Sequence, residues 1–122
     1  MPNEIRNLTA LAILDLSGNQ LTNMLNEIGN LASLTIFSLH ANKLTSMPSE
    51  IGGVTALSGL YLGDNQLTSV PNEIGNLNSL IKLYLSSNQL TVFPDKIGNL
   101  TALEILNIAN NQAINEINLL NT

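Results

Sequence analysis

The chain has 122 residues, a length typical of one domain, and its composition excludes several classes of protein. Four basic and nine acidic residues give a formal charge of −5, which argues against nucleic acid or an anionic membrane surface as a partner, because both require a basic footprint. Cysteine is absent, which excludes disulfides, a cysteine nucleophile and thiolate metal sites. The longest apolar run, residues 10–14, is far too short to span a membrane.

After the first seven residues the sequence repeats one pattern in five consecutive blocks of 23 residues: 8–30, 31–53, 54–76, 77–99 and 100–122. We therefore predict one array over residues 1–122, with residues 1–7 as a partial N-terminal repeat and the last block degenerate. Residues 112–118 break the pattern, and aligning Ile114 and Ile117 with core positions requires an inserted residue. This departure predicts a rudimentary cap at that end.

The first predicted element of each block is a short strand, because two apolar residues are separated by one exposed residue. The buried pairs in chain order are Leu14/Leu16, Phe37/Leu39, Leu60/Leu62, Leu83/Leu85 and Leu106/Ile108. We expect the first strand at Ile13–Ser17 and the last at Ile105–Ala109. Phe93 stands where other blocks have Met or Val, so both phenylalanines are expected to be packing residues.

An asparagine lies three residues after the second buried residue of every strand: Asn19, Asn42, Asn65, Asn88 and Asn111. At a bend, an asparagine amide can donate its protons to backbone carbonyls of adjacent turns that burial would otherwise leave without partners. We interpret this column as structural rather than as a ligand site.

The rest of each block is the return path to the next strand, which must then run parallel to the first. Pro48 and its equivalents suit the first position of a helical turn, and Glu50 two residues later suits its positive end. A glycine after the isoleucine is expected to prevent a full α-helix. Arg6 stands at that glycine position in the partial repeat, and would be strained if the position required a positive φ.

The five segments LAILDLSGNQL, LTIFSLHANKL, LSGLYLGDNQL, LIKLYLSSNQL and LEILNIANNQA, with the x-P-x-E-I-G-N-L phrase, resemble the leucine-rich repeat family over the whole chain. The 23-residue form is similar to the subclass found in Ras-signalling scaffolds, plant intracellular relatives, and bacterial and protist arrays. The resemblance implies an α/β solenoid, a right-handed, curved horseshoe segment with a parallel sheet on its concave face and short helical or irregular returns on its convex face. It also implies protein recognition on the concave face.

No arrangement of residues predicts catalysis, a cofactor or a metal. His40, Ser38 and Asp15 share one exposed surface, but residues two apart on a strand lie about 6.5–7 Å apart, too far for a Ser–His hydrogen bond. One histidine and scattered carboxylates lack the spacing of a metal site, and no glycine-rich phosphate loop is present. We therefore predict no catalytic, cofactor-binding or metal-binding residues.

Surface composition is the best clue to a partner. Tyr61 and Tyr84 occupy the exposed position between two buried strand residues in adjacent blocks, so parallel strands place them side by side. Tyrosine is a low-entropy anchor with an apolar ring and a polar tip, which suits binding surfaces. The alternative is that the pair only shields the sheet. The partner-binding residues predicted on the concave face are Ile36, His40, Tyr61, Lys82, Tyr84, Ile105 and Asn107.

These observations predict a non-catalytic protein–protein interaction module that recognises a protein or peptide. The alternative is a structural or adhesive spacer, or a fragment of a longer leucine-rich repeat protein, with no binding role of its own. The absence of a signal-peptide pattern leads us to predict a cytoplasmic location. Short terminal covers and open strand edges predict a weak homodimer through a terminal repeat.

Overall fold

The computed structural model describes residues 9–112, which form a right-handed solenoid built on one parallel sheet. Its strands lie in chain order β1 to β5, and each pairs with the next one along the chain. Their bounds are Ile13–Asp15, Ile36–Ser38, Gly59–Tyr61, Lys82–Tyr84 and Ile105–Asn107. Short 3₁₀ helices form the returns, at Asn26–Asn30, Ser49–Gly53, Asn72–Asn76 and Asp95–Asn99. The predicted fold class is confirmed.

The first and last strands are shorter than predicted, because both end two residues before the expected position. β1 stops at Asp15 rather than Ser17, and β5 at Asn107 rather than Ala109. The backbone then turns through a residue with positive φ in every block: Gly18, Ala41, Asp64, Ser87 and Asn110. Hydrogen bonds between neighbouring turns nevertheless continue past the strand ends, for example from Leu16 N to Ser38 O at 2.8 Å.

The core lies between the sheet and the returns. The strand register places equivalent residues of successive blocks against one another, as in the row Leu14, Phe37, Leu60, Leu83 and Leu106. Phe37 is fully buried and Phe93 nearly so, which confirms that both are packing residues. One 23-residue turn cannot bury its own leucines, so the stacking of turns creates this core.

The asparagine column makes the hydrogen bonds predicted for it and adds another. The Asn65 amide nitrogen donates to Leu62 O in its own turn and to Leu39 O in the preceding turn, each at 3.0 Å. Its side-chain oxygen also accepts the backbone N–H of Leu44 at 3.0 Å, a bond that the sequence did not suggest. Each asparagine of the inner turns therefore donates a hydrogen bond to the preceding turn and accepts one from it.

Two details of the returns differ from expectation. Pro48 precedes the 3₁₀ helix as its N-cap, with φ −72° and ψ 151°, instead of occupying the first helical position. A positive φ is not what requires glycine after the isoleucine, since among glycines of the described residues only Gly18 has one. Gly75 is required because a Cβ there would lie 2.7 Å from the carbonyl oxygen of Lys96 in the next return.

Several expectations fall outside residues 9–112. These are the partial repeat at residues 1–7, including the strain expected at Arg6, and all but Gln112 of the segment 112–118 from which the cap was predicted. Within the described part of the chain, no helix is both long enough and apolar enough to cross a membrane.

Candidate functional site

The outward-facing residues of the sheet form three rows that cross the strands. The strand register fixes the first row as Ile13, Ile36, Gly59, Lys82 and Ile105, and the middle row as Asp15, Ser38, Tyr61, Tyr84 and Asn107. The 23-residue period places a third row beyond the strand ends, at Ser17, His40, Gly63, Ser86 and Ala109. All seven residues predicted as partner-binding lie in these rows.

The tyrosine pair is the largest feature of the middle row. The rings of Tyr61 and Tyr84 are stacked, with their centroids 5.0 Å apart and their planes inclined by 14°. Adjacent parallel strands bring these residues into direct register, as the sequence predicted. A stacked pair presents a rigid aromatic surface, because each ring restricts the rotation of the other.

Gly59 allows the ring of Tyr61 to lie along its own strand. A Cβ at Gly59 would lie 2.9 Å from Cε2 of Tyr61 and 3.1 Å from Cδ1 of Ile36, so the space that a side chain would occupy is already filled. This role of Gly59 was not predicted from the sequence. The signal was present, because glycine replaces the larger side chains found at that position in the other four blocks.

The side chain of His40 lies close to Gly63, just after this strand, and contacts Asp64, the next residue. A Cβ at Gly63 would lie 3.1 Å from Nδ1 of His40, while Nε2 of His40 lies 3.3 Å from Oδ2 of Asp64. Both side chains of this pair are about half exposed, at 52% and 54%. Asp64 was not a predicted site residue, since it stands after the strand at a turn position.

Two shallow depressions flank the tyrosines. One, of about 270 Å³, is lined by both tyrosines and Gly63 together with Ser17, Ser38, His40 and Ser86. The other, of about 220 Å³, is lined by Ile36, Ser58, Gly59, Tyr61, Ile81 and Lys82. Both depressions expose mainly apolar surface, but three serines and a histidine line the first, whereas one serine and one lysine line the second.

A larger and more open depression of about 700 Å³ lies along the returns. Glycine, asparagine and threonine line it, with no ionisable or aromatic side chain among its residues, which include Gly52, Asn76 and Thr101. Size alone would favour it as a site. The concave face is the better candidate, because only there do aromatic, apolar and charged side chains converge.

The two end residues of the middle row, Asp15 and Asn107, are polar and accept hydrogen bonds from residues close to them in sequence. The backbone N–H and hydroxyl of Ser17 both donate to Oδ1 of Asp15, and these bonds lower the pKa of that carboxyl. At the other end, Oδ1 of Asn107 accepts the N–H of Ala109 at 3.1 Å. Across residues 9–112, no three histidine or carboxylate side chains group closely enough to hold a metal ion.

Several solved structures are similar to most of this chain. A leucine-rich repeat protein of Leptospira interrogans is 41% identical with a TM-score of 0.90, and the match covers 93% of this chain and 29% of that one. The crystal structure of PEPR1-AtPEP1 gives 33% identity and a TM-score of 0.85, covering 93% of this chain and 16% of that chain. Internalin C2 of Listeria monocytogenes is 26% identical with a TM-score of 0.84, and the match covers 96% of this chain and 50% of that chain.

The chain thus spans half or less of each of these similar proteins. No curated protein sequence matches it. The family model described as "Leucine-rich repeat region" matches residues 1–121, which is nearly the whole chain. Together with the five in-register strands and the asparagine column, this match establishes that the chain belongs to the leucine-rich repeat family.

Proposed function

We propose that this chain is a non-catalytic protein–protein interaction module that binds a protein or peptide on its concave face. Leucine-rich repeat folds commonly mediate protein–protein interaction. The observation that carries the proposal is the stacked Tyr61–Tyr84 pair at the centre of the middle row. The side chains that we propose to contact the partner around this pair are the exposed His40, Lys82 and Ile105 and the half-buried Ile36 and Asn107.

The geometry of the tyrosine pair favours recognition. Binding hot spots are enriched in tyrosine, lie near the centre of an interface, and typically cost about 2 kcal/mol or more when truncated. Because the two rings already restrict one another, little additional side-chain entropy is lost when a partner covers them. Five strands form a small platform, so we expect an interface of roughly 800 Å² on this side.

On this face, no hydrogen bond among the described residues joins a serine hydroxyl to His40. His40 pairs with Asp64, beyond the strand end, while the Asp15 carboxylate accepts hydrogen bonds from Ser17. Ser38 and His40 are two residues apart on an extended chain, and both face an open surface that does not exclude water. These contacts support a binding role, in which the polar side chains serve as hydrogen-bond partners.

Crosslinking and mass spectrometry in the native host would test the proposal. We expect the wild-type chain to crosslink to a partner, the Tyr61→Ala/Tyr84→Ala variant to lose that partner, and Val92→Ala to keep it. Val92 is the matched control, because it is 54% exposed and lies outside the three rows. Circular dichroism would verify that both variants are folded. A partner retained by the double variant, or contacting only the returns, would overturn the proposal.

The spacer alternative makes a different prediction, since a spacer would lose no partner on any of these substitutions. The weak homodimer through a terminal repeat also stays a prediction, as does the cytoplasmic location. β1 and β5 are the edge strands of the described sheet, and edge strands carry unpaired backbone groups. Sedimentation over a wide concentration range would reveal such a dimer, and a strictly monomeric species would contradict it.

A further inference from the structure

We propose that the first row of the concave sheet binds a partner segment that carries one carboxylate between aliphatic side chains. In the complex, this carboxylate contacts the ammonium group of Lys82. This inference names the partner chemistry of the binding face and rests on the function proposed above. The first row crosses all five strands in direct register, at Ile13, Ile36, Gly59, Lys82 and Ile105.

Exposed aliphatic side chains are concentrated in this row. Residues 9–112 contain three exposed large apolar side chains, and two of them, Ile13 at 63% and Ile105 at 39%, lie here. Ile36 is half-buried between them. Covering such side chains contributes about 25 cal/mol for each Å² of apolar surface removed from water. A partner that follows this row therefore gains from apolar contact at several strands.

The apolar surface continues across the glycine in the row. The ring of Tyr61 and the side chain of Ile36 both occupy the space next to Gly59, so the absence of a side chain leaves no gap there. Together with Lys82 and Ile81, these residues line the depression of about 220 Å³ described above. The surface next to the lysine is thus a concave pocket with apolar walls.

Lys82 is the only lysine or arginine in the three rows. Within the described part of the chain the one ion pair joins His40 and Asp64, so no carboxylate there lies within 4.0 Å of the Lys82 ammonium. Lys82 is itself exposed at the sheet surface. An ammonium beside apolar walls favours a carboxylate, because a charge-assisted hydrogen bond is stronger where water is partly excluded.

The charge of the whole chain restricts the partner to few carboxylates. A net charge of −5 repels a strongly acidic segment, so only a carboxylate placed directly at Lys82 gains from the contact. Parallel strands lie about 4.8 Å apart, which puts Ile105 about 5 Å from Lys82 on one side and Ile36 about 10 Å away on the other. Aliphatic side chains on both sides of the carboxylate fit this spacing.

Selection from a phage-displayed library of random twelve-residue peptides would test the proposal. The target would be the whole chain as wild type, Lys82→Glu, or the control Lys96→Glu, which makes the same charge change in the return Asp95–Asn99. We expect wild type and Lys96→Glu to enrich peptides with a single Asp or Glu flanked by aliphatic residues. Lys82→Glu should lose that acidic preference. No enrichment, or an acidic preference unchanged by Lys82→Glu, would overturn the proposal.

Synthetic peptides separate this inference from the function on which it rests. Replacing the acidic residue of a selected peptide by its amide should weaken binding to wild type about tenfold, with little effect on binding to Lys82→Gln. Selected peptides that need Tyr61 and Tyr84 but show no acidic preference would refute the inference alone. Acidic peptides that need Lys82 but bind equally well to the double tyrosine variant would refute the proposed tyrosine centre instead.

Discussion

The asparagine column and the middle row of the sheet repeat with the same period but differ in what they keep constant. Every block has asparagine at the bend, and Asn42, Asn65 and Asn88 make the same set of hydrogen bonds. The middle row instead changes at almost every strand, from Asp15 through Ser38 and the tyrosines to Asn107. A position that must satisfy buried backbone groups admits one residue type, whereas an outward-facing position is free to be chosen for a partner.

The largest loss of stability is expected when an asparagine of the column is replaced. Asn65→Ala leaves the N–H of Leu44 without its partner and removes one of the two amide donors from each of the Leu39 and Leu62 carbonyls, so we expect a loss of roughly 3 kcal/mol in the free energy of unfolding. Asn19→Ala is the matched control, since Asn19 is exposed and should cost about 1 kcal/mol. Urea unfolding of both variants measures the difference. Equal losses would show that burial of the column contributes little.

The next prediction compares a glycine-to-alanine substitution in the returns with the same substitution on the concave face. A Cβ at Gly75 would lie 2.7 Å from the carbonyl oxygen of Lys96, so Gly75→Ala must displace backbone and should cost about 2 kcal/mol. At Gly59 the nearest atoms belong to the side chains of Tyr61 and Ile36, which can move. Gly59→Ala should therefore cost under about 1 kcal/mol but alter the near-ultraviolet circular dichroism of the tyrosines. The reverse order of stability would contradict this account of the returns.

A smaller effect concerns the turn after each strand. Gly18 and Ala41 both have positive φ, at 71° and 59°, and no atom lies within 4 Å of a Cβ built on Gly18. Gly18→Ala should destabilise the chain, and Ala41→Gly should stabilise it, each by about 0.5–1 kcal/mol after the entropy cost of glycine. Thermal unfolding should show shifts of opposite sign. Shifts of the same sign would show that side-chain contacts outweigh backbone strain here.

The smallest effect is local and depends on pH. The bonds from the Ser17 hydroxyl and N–H lower the pKa of Asp15 below its ordinary value of 3.8. Because the folded pKa is lower than the unfolded one, the stabilisation is present above the unfolded pKa and is lost as the pH falls through the folded one. An NMR titration should show the Ser17 amide shifting below pH 3.8. Asp15→Asn should abolish that shift.

The sequence was sufficient for those features that depend on the period alone. Leucine spacing predicts the buried residues of the three inner strands, whereas the predicted pairs Leu14/Leu16 and Leu106/Ile108 of the edge strands are only half-buried. The register of Tyr61 with Tyr84 follows from parallel strands one block apart. The role of Gly75 could not be predicted, because it depends on the distance between two returns that are distant in sequence. The pairing of His40 with Asp64 was missed for a similar reason, since their contact depends on side-chain direction across two turns.

The central claim is that the constant column maintains the fold while the varying rows bind the partner. Isothermal titration of an identified partner against two variants tests it most directly. Tyr61→Ala/Tyr84→Ala should weaken binding by at least about thirtyfold, which corresponds to about 2 kcal/mol. Asn65→Ala, measured where it remains folded, should bind within about threefold of wild type despite its lower stability. Unchanged affinity in the tyrosine variant, with a large loss in Asn65→Ala, would contradict the account.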